Sequence, residues 1–162
     1  TPNYFVEILH SYNKRFDKKV RLHIWGKIPE RFQENDDTIQ YHGMLDNSQV
    51  FDVLSKSDYI VNFSNKVTYQ WVPSKIFQLF STGKPIIDIV SNINDVSISY
   101  FERYGNVLFI NEFEGSPEKD IESLRAFLSR NTDDIVCIDK DAFLKAKPEY
   151  HAKIIEGIFN EE

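Results

Sequence analysis

Cysteine is almost missing from this chain: Cys137 stands alone among 162 residues. One thiol closes no internal disulfide, and no Cys–His cluster of the kind that holds zinc accompanies it. The setting expected is a reducing cytoplasm. Long apolar runs are missing too; none approaches the roughly 20 residues that span a bilayer. The opening Thr1-Pro2-Asn3-Tyr4 has no basic region leading into an apolar core, so no signal peptide is expected. It also lacks an initiator Met and reads as the interior of a longer protein.

Positive charge is in short supply. Lys and Arg number 19 against 25 Asp and Glu, a net charge of −6. That balance argues against a general nucleic-acid binder, which shows a basic face. An anionic small molecule would need local positive charge, for which Lys27, Lys66, Lys75 and Lys84 are candidates. The phosphate-binding patterns Gly-x-Gly-x-x-Gly and the Walker lysine loop are missing. His10, His23, His42 and His151 show no metal spacing and no neighbouring Ser or Cys nucleophile motif. They read as structural histidines, and no metal site is expected.

What is present fits a globular domain: hydrophobic residues make up 41% of the chain and charged residues 27%. The expectation is a single domain over residues 1–162. Thr1-Pro2 suits a helix start, and Phe5, Ile8, Leu9, Tyr12 and Phe16 recur at helical spacing. Val20 to Trp25 and Ile39 to His42 read as strands ended by Gly26 and Gly43. Asp46 and Gln49 have the spacing of a capping-box variant, opening a helix with Val50, Phe51, Val53 and Leu54. Asp58 to Ser64 reads as a strand, residues 95–104 as a helix stopped by Gly105, and Val107 to Ile110 as a strand. Ser116-Pro117 opens a further helix, and Pro148 a last one.

Strands alternating with helices predict an α/β fold: a Rossmann-like parallel sheet with helices on both faces. Ligands of such sheets bind outside the carboxyl ends of the strands. Gly26-Lys27, Gly43-Met44, Ser64-Asn65 and the loop leading to Ser74 all follow strands, so four stretches converge on one rim. Asp36-Asp37 and Asp133-Asp134 read as solvated loop charge. Trp71 is expected to pack under its loop. Tyr69 could pack likewise or border a ligand.

The richest stretch runs from Val72 to Ile87: Val-Pro-Ser-Lys-Ile-Phe-Gln-Leu-Phe-Ser-Thr-Gly-Lys-Pro-Ile-Ile. Pro73 and Ser74 give a helix start, Gly83 and Pro85 a stop, and Lys84 to Val90 a buried strand. A cap serine followed by a solvated lysine is the ordinary outcome. An exposed Pro-Ser-Lys helix start also brings N–H groups, a hydroxyl and an ammonium together, which suits a diphosphate.

This stretch resembles the donor-site segment of family 4-type glycosyltransferases of the GT-B fold. The resemblance covers about residues 1 to 131, is most specific at 72–87 and is moderate at 20–26, 39–43 and 58–64. It implies the C-terminal, nucleotide-sugar-binding domain of such an enzyme, with the N-terminal acceptor domain and the first strand of this domain lying outside the sequence. Ser74 and Lys75 match positions that contact the donor diphosphate. Gly43, Met44 and Leu45 would border the base, and Gly26, Lys27 and Asn65 belong to the same rim. Gln70 and Gln78 stand where the family often has two glutamates, one near the donor sugar and one on the ribose. An amide still bonds a hydroxyl, but as a neutral acceptor.

The implied function is transfer of a sugar from a UDP- or GDP-type donor to an acceptor hydroxyl. The acceptor would be a growing surface polysaccharide or lipid-linked sugar, reached through the other domain. No separate cofactor, nucleic acid or transmembrane segment is expected; peripheral membrane association of the parent is compatible with this. The alternative is a non-catalytic nucleotide-binding or scaffold module with a flavodoxin-like sheet. A receiver domain is disfavoured, because the middle strand ends in Asn62-Phe63-Ser64 where a phosphoacceptor Asp would stand.

Overall fold

The computed structural model describes residues 2–27, 35–113 and 115–130. In them the chain runs α1 (Pro2–Arg15), β1 (Leu22–Ile24), β2 (Ile39–Tyr41), α2 (Asn47–Lys56), β3 (Ile60–Phe63), α3 (Lys75–Phe80), β4 (Ile86–Val90), α4 (Ile98–Tyr104), β5 (Val107–Asn111) and α5 (Pro117–Leu128). The helix expected from Pro148 lies outside the described residues, as do Cys137, Asp133, Asp134 and His151. β1 and β2 are shorter than the apolar pattern suggests, ending at Ile24 and Tyr41 just before Gly26 and Gly43, which take positive φ.

Every strand pair among the described residues is parallel. β1 pairs with β2 (Leu22 opposite Ile39), β3 with β4 (Ile60 opposite Ile86) and β4 with β5 (Ile86 opposite Val107). The hydrogen bonds form two sheets, β1-β2 and β3-β4-β5, rather than one continuous sheet. Both sheets share one core. On one face, Phe5, Ile8, Leu9 and Tyr12 of α1 and Ile121, Leu124, Phe127 and Leu128 of α5 pack on Leu22, Ile39, Ile87, Ile89 and Ile110. On the other, Ile76 and Phe80 of α3 and Phe101 and Tyr104 of α4 cover Ile60 and Ile86. The result is a Rossmann-like α/β arrangement with helices on both faces.

Local chemistry explains the framing. Pro2 is the first residue of α1, where its missing N–H costs nothing, and Lys14 and Arg15 sit in the last turn against the helix dipole. Asn13 clamps α1 to the amino ends of both strands of the first sheet: its amide donates to the Val20 carbonyl at 2.8 Å and to the Thr38 hydroxyl at 2.9 Å, and it accepts from Val20 N–H. Asp36 is not merely solvated charge. It accepts from the N–H groups of Thr38 and Ile39 at 2.6 Å and meets His10, so it anchors the start of β2. The Ile39 N–H holds its carboxyl below the usual range against the opposing effect of burial, with help from Thr38 and His10.

Two expectations change. α2 forms where the pattern places it, yet none of its residues is buried and Phe51 is 50% exposed. Asp46 precedes it without a side-chain capping bond. An amphipathic pattern creates a helix but does not supply the surface it needs. α3 begins at Lys75, and Ser74 before it is already helical (φ −56°, ψ −27°) with no side-chain cap bond.

Candidate functional site

The carboxyl end of β3 and the loops after β3 and β4 enclose a cleft of about 160 Å³. Ser64 N–H still bonds the Ile89 carbonyl, after which the chain leaves the sheet. The Asn65 side chain accepts from Val67 N–H at 2.9 Å, turning the loop sharply. A second turn, Trp71 N–H to Thr68 carbonyl at 3.1 Å, brings the chain to Pro73 and α3. The loop after β4 is tied across to this one: Val96 N–H donates to the Tyr69 carbonyl, and Ser91 N–H to the Ser64 hydroxyl at 2.6 Å. Asp95 accepts from Ser97 N–H at 2.8 Å, which sets the start of α4.

Asn62, Asn65, Trp71, Lys75, Asp95 and Ser97 line the cleft. With Ser64 and Thr68, which also line it, the cleft holds one ammonium, one carboxylate, two amides, three hydroxyls and an indole. Beneath it lies Asp88, wholly buried in the middle of β4. Its Oδ1 accepts from the Asn62 amide at 2.7 Å, and its Oδ2 has no hydrogen-bond partner among the described residues. Burial pushes the Asp88 carboxyl up to about 6; the Asn62 bond opposes this, the Asp95 charge adds to it and Lys75 opposes it.

Of the candidates read from sequence, Asn65 and Lys75 line this cleft. Ser74 is exposed beside it, and Gln70 and Gln78 are exposed outside its lining. Gly26, Lys27, Gly43, Met44 and Leu45 lie at the carboxyl ends of β1 and β2, outside the lining, with Gly26 N–H bonded to the Gly43 carbonyl at 2.7 Å. The other cations have other places. Lys66 pairs with the buried Glu112 side chain at 2.8 Å and sits over the Phe113 ring. Lys84 precedes β4, at the end of the sheet opposite the cleft. Trp71 does not pack under its loop: it is 76% exposed at the cleft mouth, because the Thr68–Trp71 turn directs it outward.

Compared with known protein families, curated proteins and solved structures, the chain matches none. Among the described residues no group of three His, Cys, Asp or Glu side chains could hold a metal ion, and no helix is long and apolar enough to cross a membrane.

Sequence reading missed Asn62, Asp88, Asp95 and Ser97. One signal was available for Asp88: it is the single charge within the apolar run Ile86-Ile87-Asp88-Ile89-Val90. Nothing local marks Asp95 and Ser97, whose place depends on two loops meeting.

Proposed function

We propose that this chain is the donor-binding half of a GT-B glycosyltransferase, holding a UDP- or GDP-sugar for transfer to the hydroxyl of a surface glycan or lipid-linked acceptor. The observation that carries the reading is the cleft at the carboxyl rim, where Lys75 and Asp95 stand together with the amides of Asn62 and Asn65. A nucleotide-sugar is anionic along its diphosphate and rich in hydroxyls at both ends. Lys75 would take a phosphate oxygen in a charge-assisted bond. Asp95 and the amides would take sugar or ribose hydroxyls, and Trp71 offers a flat face to a sugar ring or base. At about 160 Å³ the cleft accommodates part of such a ligand, since sites for drug-sized molecules run to roughly 300–1,000 Å³. The remainder would extend along the rim, where Gly43 and Met44 lie.

Titration with UDP, GDP and uridine, followed by amide chemical shifts, tests this. The diphosphates should move Asn65, Lys75 and Ser97, and uridine should bind more weakly. No movement at millimolar concentrations of any common nucleoside diphosphate would count against the proposal. Lys75→Ala should weaken the diphosphates by about 10- to 100-fold, a charge-assisted bond of ~1.5–3 kcal/mol, and leave uridine nearly unchanged.

The second reading, a non-catalytic nucleotide-binding or scaffold module, draws on Gln70 and Gln78, which are neutral and exposed outside the cleft. It predicts binding with no sugar transfer, and Gln78→Glu would then leave affinity unchanged.

A further inference from the structure

Asp88 and Asn62 form a polar pair where the strand pattern calls for an apolar one. Along β4, Ile86 joins the core beneath α3 and α4, while Ile87 and Ile89 join the core beneath α1 and α5. Alternation puts Asp88 on the Ile86 side. The parallel register sets Asn62 of β3 beside it on one hand and Phe109 of β5 on the other. Asp88 has no exposed surface and Asn62 only 6%. The backbone ladder already joins β3 to β4, so the sheet does not need the side-chain bond. A buried carboxylate also costs stability that two apolar residues would not. The pair calls for a role other than holding strands together.

The bond between them has a direction. The Asn62 amide nitrogen donates to Asp88 Oδ1 at 2.7 Å. An ionised carboxylate only accepts, so it takes the NH2 end of an amide. The other end, the Asn62 carbonyl oxygen, has no partner among the described residues and, unlike Asp88 Oδ2, is not sealed from solvent. It opens to the cleft that Asn62 lines. Protonation reverses the arrangement. Oδ2 has no hydrogen-bond partner among the described residues, and a buried O–H with nothing to bond is worse than a buried carbonyl with nothing to bond. The proton therefore belongs on Oδ1, which then donates to the Asn62 oxygen, and the amide turns over to show its NH2 to the cleft. The charges that bear on Asp88 are Asp95, from the loop after β4, which favours its protonation, and Lys75, at the head of α3, which opposes it. Phe109 brings no charge from β5, and Tyr104 of α4 is committed elsewhere, its hydroxyl donating to the Lys84 carbonyl at 2.6 Å. Burial, the largest influence, holds the carboxyl at about 6, so it is ionised at neutral pH.

We infer that Asp88 is a positioning residue whose ionised carboxylate turns the carbonyl of Asn62 toward the cleft, so that the cleft accepts from a ligand hydroxyl there rather than donating to a phosphate. Lys75 is then the contact for an anion, and Asn62 and Asp95 are acceptors for a sugar or ribose hydroxyl. The identity of that ligand group rests on the donor-sugar reading above; the orientation of the amide rests only on the geometry of Asp88 and Asn62. In acid the cleft loses an acceptor and gains a donor, and its preference for a hydroxyl weakens.

Side-chain NMR of the ligand-free chain tests the orientation. Between about pH 5 and about pH 8 the Asp88 carboxyl carbon should titrate with a midpoint of about 6. The Asn62 NH2 signals should move with the same midpoint and exchange faster as the pH falls. Asp88→Asn should abolish the step at Asn62, because a neutral amide bonds either end of its neighbour. The inference is overturned if the Asn62 signals stay fixed while Asp88 titrates, if Asp88 stays ionised throughout, or if the Asn62 step survives in Asp88→Asn. Should that variant not fold, the titration of the parent decides alone. UDP-glucose and GDP-mannose test the ligand group, since a diphosphate esterified at both ends keeps its charge over this range. Affinity should fall about 3- to 10-fold from about pH 7.5 to about pH 5 in the parent and stay level in Asp88→Asn. Equal affinity at both pH values in the parent would overturn the hydroxyl assignment. An Asn62 step without binding of either sugar nucleotide would refute the donor-sugar reading, and the hydroxyl with it, while upholding the orientation of the amide.

Discussion

Asp88 sets a carboxyl group in the middle of a strand whose residues are all buried, with one oxygen bonded to Asn62 and the other unpartnered among the described residues. Its carboxyl titrates near 6 rather than 3.8, chiefly because burial disfavours the charge. A raised acid binds its proton more readily folded than unfolded, so stability falls as pH rises from about 4 through 6 and the full penalty stands above 6. Asp88→Asn removes the charge and keeps an acceptor for Asn62. It should raise stability at pH 7 by about 2–3 kcal/mol and flatten the profile between pH 4 and 6 in urea melts at a series of pH values. A variant less stable than the parent at pH 7 would mean that the ionised form has a partner. Because Lys75 lowers the Asp88 titration, Lys75→Ala should shift the midpoint of that profile upward, an effect separable from its loss of diphosphate binding.

Among elements, α1 and α2 make a contrast. Both have helical apolar spacing, but α1 buries its stripe against two sheets while α2 leaves Phe51 half exposed. Phe51→Ala should therefore cost less than about 1 kcal/mol, against ~3–5 kcal/mol for Phe101→Ala, whose ring is completely enclosed. Asn13→Ala, which releases Val20 and Thr38 together, should cost about 2–3 kcal/mol in chemical denaturation. Gly115 is held by close approach: a methyl group there would collide with the Asn111 carbonyl, the Asp120 carboxylate and the Tyr4 hydroxyl. Gly115→Ala should part the bond between Tyr4 and Asp120 that joins α1 to α5 and lower the melting temperature. These cases mark what the sequence could and could not tell. Helical and strand positions were legible because period and punctuation are local. The division into two sheets and the bare face of α2 were not, because each depends on what lies alongside. At the cleft, Lys75 and Asn65 were legible from their place after a strand. Asp95 and Ser97 were not, because the tie between Val96 and Tyr69 that brings their loop over leaves no periodic trace.

At the scale of the whole molecule, each sheet contact joins distant parts of the chain. Leu22 meets Ile39, Ile60 meets Ile86 and Ile86 meets Val107, and no described strand finds its neighbour through a hairpin. A loop of roughly twenty residues must close before any such ladder can begin. Helices settle within about a microsecond, whereas all-parallel pairing of this kind proceeds over milliseconds to seconds. Stopped-flow refolding, followed by the fluorescence of Trp25 beside β1, should accordingly show its main phase in that slower range; a single microsecond phase would contradict it. During the interval the chain presents helices already formed above strand edges not yet joined. Refolding yield should fall as protein concentration rises, since a second molecule can reach an open edge before the distant partner in the same chain does.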